Sequence, residues 1–92
     1  MITSFACRDT ALLFIGRRVA RFVPIETVAI RKLQQLHAAV TLSFLAVPPG
    51  NRLERLGGDR AGRHSIRINE RWRICFAFDC GEASEVEIVD YH

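Results

Sequence analysis

Apolar residues recur along this chain at two different periods, and the change between them falls near residue 50. Leu12, Ile15, Val19 and Phe22 recur at spacings of three and four, the stripe of an amphipathic helix, with Asp9 placed to N-cap it. Arg17, Arg18 and Arg21 fall on or beside its polar face and read as a solvated surface. Pro24 opens a second predicted helix whose stripe is Ile25, Ala29, Leu33, Leu36 and Val40, with His37 beside it at the edge of the core. Residues 2–5 are expected to form a short strand ahead of these helices. Residues 41–47 are irregular, with a short helical turn, and Pro48-Pro49-Gly50 ends them.

Beyond that breaker the period becomes two, and strands are predicted at about residues 52–56, 64–68, 72–79 and 84–91. Within residues 65–76, Ile66 and Ile68 alternate with Ser65 and Arg67, and Trp72, Ile74 and Phe76 alternate with Arg73 and Cys75. A loop at Asn69-Glu70-Arg71 pairs Ile68 with Trp72, Arg67 with Arg73 and Ile66 with Ile74. Every large apolar side chain then lies on one face, and two arginines oppose each other on the other. Like charges directly opposite across strands are destabilising. Folding therefore gives no reason for the pair, whereas a polyanion does. Two helices followed by an antiparallel meander predict an α+β fold, with the helices packed on one face of a small sheet and the arginine face open. No repeat or linker interrupts it, so one domain is expected over residues 1–92.

Composition narrows the class. At 49% hydrophobic and 25% charged residues the chain is globular, not disordered. The first ten residues lack the basic and apolar regions of a signal peptide, and the uncharged residues 34–51 fall short of a membrane span. Three cysteines (Cys7, Cys75, Cys80) without CxxC spacing argue against a disulfide or zinc framework, so no metal or cofactor is expected and the cytoplasm is the expected compartment.

Charge is unevenly distributed. Residues 1–51 carry +4, residues 52–73 carry +4 and residues 74–92 carry −5. Twelve of the thirteen basic residues are arginine, whose planar fork binds phosphate bidentately. A GC-rich genome accounts for arginine over lysine but not for seven arginines within residues 51–73.

The motifs that carry these arginines resemble a known family. Pro48-Pro49-Gly50-Asn51-Arg52-Leu53-Glu54-Arg55-Leu56, then Gly58-Asp59-Arg60 and Gly62, the Ser65 to Asn69 and Trp72 to Phe76 arms, and the closing Val89-Asp90-Tyr91-His92 are similar to HigB-type toxins of the RelE superfamily. The resemblance implies a compact RelE-like fold and a ribosome-dependent mRNA endonuclease. It also implies inhibition by a cognate HigA-type antitoxin with a helix-turn-helix domain, so that operator DNA is reached only through the antitoxin. By motif position Arg67, Arg73, Asp90, Tyr91 and His92 fall where the family has active-site groups, and Arg52, Arg55, Arg60 and Arg63 are the expected RNA contacts. Two departures stand out. Gly57 replaces a lysine and Glu54 a histidine of many relatives, which removes a phosphate contact and a proton-transfer group and leaves Glu54 to repel RNA unless it is neutralised.

Metal-free RNA cleavage needs a base for the 2′-OH, an acid for the leaving 5′ oxygen and cations for the developing phosphorane charge. Arg73 and Arg67 suit the last role. Nucleophile and phosphate share one molecule, so in-line positioning supplies much of the rest. Tyr91 is expected on the Glu87 side of the last strand, facing the arginines, where its ring can stack a base. Of these candidate groups His92 is the one whose unperturbed pKa is near neutrality. Asp90 is expected to orient a neighbour or bind an arginine. Two alternatives stay open: a non-catalytic poison like the gyrase-binding ParE branch, and an antitoxin-binding co-regulator whose catalysis has degraded.

Overall fold

A computed structural model describes residues 1–58 and 62–90. Two helices, α1 (Arg8–Phe14) and α2 (Glu26–Ala38), precede a four-stranded antiparallel sheet of β1 (Glu54–Arg55), β2 (Arg63–Arg67), β3 (Trp72–Asp79) and β4 (Glu82–Asp90), in the order β1-β2-β3-β4. The architecture is the expected α+β one, and among the described residues no helix is long and apolar enough to cross a membrane.

The first helix is shorter than its apolar spacing implied. Gly16 adopts φ +93°, its N–H reaches the Leu13 carbonyl at 3.0 Å, and the Arg17 N–H reaches the Leu12 carbonyl at 2.9 Å. This is a Schellman closure, which a residue free to take positive φ permits. Ile15 is consequently exposed, and Val19 and Phe22 belong to the following segment, where Phe22 anchors a 3-10 turn (Ala20–Ile25). Asp9 is not the N-cap. That position is Cys7, which makes no capping bond from its side chain, and the Asp9 carboxylate instead accepts from Arg21 Nε at 2.9 Å. Arg18 pairs with Glu26 at 3.1 Å.

Pro24 lies inside the 3-10 turn and leads directly into α2. The stripe Ile25, Ala29, Leu33, Leu36 is buried as its spacing requires. Val40 lies beyond the helix and is exposed, because Ala39 leaves helical geometry at ψ 129°. His37 sits at the core edge, its Nδ1 accepting from the Ile2 N–H at 3.0 Å and its ring 5.3 Å from that of Phe14.

Residues 2–5 make two isolated parallel bridges to β4 in place of a strand, at Ile2 with Ala83 and Phe5 with Val86. A bulge in β4 supplies the reason. Between Cys75 and Ala77 on β3, β4 advances one residue more, from Glu87 to Ser84, and Glu85 takes φ +53°. The ladder to the N-terminal segment is broken there, and the Ser4 hydroxyl accepts the Glu85 N–H at 2.9 Å.

The core lies between the helices and one sheet face, where Leu13, Phe22, Leu33, Leu36, Leu45, Ile66, Ile74, Phe76 and Val86 are fully buried. The Trp72 ring meets Phe22 edge-on, 5.7 Å between centroids. The lead-in to the sheet is pinned by buried Asn51, whose Nδ2 donates to the Leu45 carbonyl at 3.0 Å and to Gln35 Oε1 at 3.1 Å. A 3-10 helix at Leu42–Ala46 occupies the irregular stretch.

Candidate active site

The β2–β3 hairpin has the register its alternation predicts: Ile66 opposite Ile74, Arg67 opposite Arg73 and, just beyond, the Ile68 N–H on the Trp72 carbonyl at 2.9 Å. Asn69 closes the loop, its Oδ1 accepting the N–H groups of Arg71 and Trp72, each at 2.8 Å.

The two facing arginines have different environments. Arg73 is 8% exposed; its Nε donates to Ser65 Oγ at 2.9 Å, and its Nη2 donates to the Arg52 carbonyl at 2.7 Å and lies 3.1 Å from Glu54 Oε1. Strand order produces this cluster. β1 pairs Glu54 with Ser65, β2 pairs Ser65 with Cys75, and Arg73 is the diagonal neighbour of Ser65, across which it reaches Glu54. Arg52, at φ +46°, turns the chain so that its carbonyl reaches the guanidinium. Arg67 is half-buried, and its guanidinium takes no hydrogen bond or ion pair among the described residues.

Two expectations are corrected here. The facing charges do have an intramolecular reason, because Glu54, Ser65 and the Arg52 carbonyl hold Arg73, while the half-buried Arg67 guanidinium has no such partner among the described residues. The arginine face is not open either, since Ser65 and Cys75 on it are fully buried. Glu54, expected to repel RNA unless neutralised, is neutralised by Arg73.

The remaining expected residues divide by strand parity. Arg63 shares the face of Arg67, roughly 13 Å away along β2 at about 3.3 Å per residue. Arg55, opposite His64, points to the other face, and Arg52 is exposed. Asp90 also lies on the other face, since it pairs with Trp72 while Val89 pairs with Arg73. Its carboxylate takes a bidentate ion pair from Arg71, at 2.9 Å from Nε and 2.7 Å from Nη2. The Arg71 guanidinium also stands 5.7 Å from the centre of the Trp72 ring. Arg60, Tyr91 and His92 lie outside the described residues. Among the described residues no group of His, Cys, Asp and Glu gathers as a metal site, and no disulfide joins Cys7, Cys75 and Cys80 to one another.

His64 stacks near Phe76, 6.1 Å between ring centroids, and burial, with the charge of Arg55 behind it, pushes its pKa below the ordinary histidine value. It is therefore a neutral ring at pH 7.

Sequence reasoning missed Lys32. Its side chain is buried and its ammonium donates to the backbone carbonyl of Arg67. A signal was present, because the one lysine among thirteen basic residues stands three residues after Ala29 and four before Leu36, at the spacing of the apolar stripe.

Chemically, a half-buried guanidinium beside one held by Glu54, Ser65 and the Arg52 carbonyl can hold a phosphate while the pair's geometry stays fixed, which suits stabilisation of charge on a pentacoordinate phosphorus.

Comparisons with known proteins bear on the family and the fold. A sequence model for the HigB-like toxin family, described as the RelE-like toxin of type II toxin-antitoxin system HigB, matches residues 19–92. Toxin HigB-1 of Vibrio cholerae is 45% identical over 65 residues, 68% of each chain. A Proteus vulgaris protein named endoribonuclease HigB is 36% identical over 98 residues, covering both chains fully. Among solved structures, the Staphylococcus aureus YoeB-YefM toxin-antitoxin complex aligns with TM-score 0.63 and 17% identity, covering 100% of this chain and 95% of that one. A YafQ mutant from E. coli aligns with TM-score 0.59 and 11% identity, covering 98% and 91%. These two likenesses concern the fold.

Proposed function

Since the chain belongs to the HigB-like family of RelE-like toxins of type II toxin-antitoxin systems, we propose that it is a ribosome-dependent mRNA endoribonuclease that blocks translation and that its cognate antitoxin neutralises. The observation that carries this reading is the Arg67–Arg73 pair, one guanidinium fixed by Glu54, Ser65 and the Arg52 carbonyl, the other half-buried and without a side-chain partner among the described residues. The full-length relative named as an endoribonuclease supports it.

In this reading the 2′-OH of a bound nucleotide attacks its own 3′ phosphate, the bond to the 5′ oxygen breaks, and that oxygen leaves with a proton, giving a 2′,3′-cyclic phosphate. Arg67 and Arg73 stabilise the charge that develops on the phosphoryl oxygens. Tyr91 and His92 are the proposed proton-transfer and base-stacking groups. Asp90, held by Arg71, has the proposed task of fixing the end of β4. Arg52, Arg55, Arg60 and Arg63 contribute positive field along the RNA path. No general base is secured by this set, so the ribosome supplies in-line geometry and free RNA is cut slowly.

The reaction takes place in the cytoplasm, within one domain spanning residues 1–92, and needs no metal. The antitoxin carries a helix-turn-helix domain, through which the pair reaches operator DNA. Mapping mRNA 5′ ends after a brief pulse of expression tests the reading. Cuts inside translated codons are expected, and their absence, with growth still arrested, overturns it.

A second reading has one observation in its favour. Arg73 is already ion-paired with Glu54, as suits an antitoxin-binding homologue with degraded catalysis. Intact transcripts after induction would select it.

A further inference from the structure

Burying an ammonium is costly unless a carboxylate balances it. Lys32 is 9% exposed on α2, among Ala29, Leu33 and Leu36, and among the described residues it has no carboxylate partner. Its one hydrogen bond goes to the Arg67 backbone carbonyl. The charges around it are those of Arg31 on its own helix, Arg67 on β2 and Arg73 on β3, all of the same sign. An apolar residue would satisfy the stripe at lower cost. Stability alone therefore does not account for a lysine here, and residues that cost stability concentrate at functional sites.

The position of its acceptor supplies the reason. β1 is two residues long and stops at Glu54, opposite Ser65, because Arg52 turns away at positive φ. Among the described residues the end of β2 at Arg67 has no strand on that side, so the backbone carrying this guanidinium would otherwise be unsupported there. The ammonium of Lys32 takes the place of the missing strand and adds positive charge beneath the arginine pair.

We propose that Lys32 is a positioning residue of the arginine site, an ammonium on α2 that grips the Arg67 backbone carbonyl and fixes the direction from which Arg67 meets the phosphate. The proposal rests on the nuclease reading for its effect on rate but not for its effect on structure. The drop in pKa imposed by burial, and then by Arg31, Arg67 and Arg73, agrees with a charge held there against its surroundings.

The test is a double-mutant cycle of Lys32→Met with Arg67→Ala, read as single-turnover cleavage on programmed ribosomes. Lys32→Met alone is expected to lower the rate roughly 10-fold or more, as misplacement of a catalytic group does. In the Arg67→Ala background the same change should have little further effect, and Lys32→Arg should restore part of the rate. Equal effects of Lys32→Met in both backgrounds, or a folded Lys32→Met protein cleaving at the parent rate, overturns the proposal. The side-chain Nε–H signals of Arg67 and Arg73 in a nitrogen-15 spectrum give a readout independent of activity. Lys32→Met should shift or broaden that of Arg67 and leave that of Arg73 in place; an unchanged Arg67 signal refutes the hold. If Lys32→Met does not fold, Lys32→Gln is put through both measurements with the same expectations. A parent protein that cuts no mRNA refutes the nuclease reading, and the spectrum still decides the role of Lys32.

Discussion

The carboxylate of Glu54 lies 3.1 Å from the guanidinium of Arg73, with the acid side chain 60% exposed and that of the arginine 9%. A phosphate that approaches Arg73 therefore meets a competing anion. Glu54→Gln is expected to tighten binding of a non-cleavable single-stranded RNA several-fold at low salt and by less at high salt, where screening weakens the exposed carboxylate. Anisotropy titrations at two ionic strengths measure this. Unchanged affinity would mean that the RNA phosphate does not reach Arg73.

Arg73 and Arg67 are expected to separate in stability as well as in rate. Arg73→Ala orphans the buried Ser65 hydroxyl and strips a donor from the Arg52 carbonyl, at about 1–3 kcal/mol for a buried polar group left unsatisfied. Arg67→Ala removes no such bond. Thermal midpoints should fall clearly for the first and little for the second. Arg73→Lys keeps the charge but loses the fork, and its cleavage rate should drop roughly 10²-fold, as for loss of an oxyanion donor. A folded Arg73→Lys protein at the parent rate would take Arg73 out of the chemistry.

Asp90 offers a clean distinction between structure and mechanism. Its ion pair with Arg71 is exposed, with side chains 31% and 61% accessible, and such pairs contribute about 0–1 kcal/mol. Asp90→Asn should leave the melting temperature within a few degrees of the parent. Cleavage lost without a change in melting would give Asp90 a task beyond that ion pair; cleavage retained would confine it to the end of the sheet.

His64 gives the fold an acid sensitivity. Its pKa is lowered in the folded state, so the unfolded chain binds the proton more readily. The stabilisation is complete above the ordinary value of 6.5 and is lost as pH falls through that value toward the folded pKa. Melting temperature should drop as pH goes from 7 to 5, and His64→Phe, which keeps a ring against Phe76, should flatten that slope. An equal slope in the variant would place the acid sensitivity elsewhere.

The antitoxin should be encoded beside this chain and co-purify with it. Co-expression of that neighbour should abolish growth arrest, and arrest that persists despite it would separate this protein from the toxin-antitoxin arrangement of its family.

What the sequence determined by itself is what near neighbours control. Alternation of Ile66, Ile68, Trp72, Ile74 and Phe76, with Asn69 closing the loop, sets the hairpin register, because one slipped residue would turn every apolar side chain to the wrong face. The stripe on α2 was legible for the same reason. Local chemistry that competes with periodicity was harder to read. Gly16 ends α1 although Ile15, Val19 and Phe22 continue its spacing, and Glu85 bulges β4 without a glycine to announce it. Only the tertiary structure decided which arginine is buried, that Glu54 neutralises it, that Asp90 faces away from it and that Lys32 holds the backbone of Arg67. Those contacts join residues far apart in the chain through the lateral order of the strands and the packing of α2 on the sheet, and a one-dimensional pattern of apolar and polar positions carries no information about which distant polar groups meet.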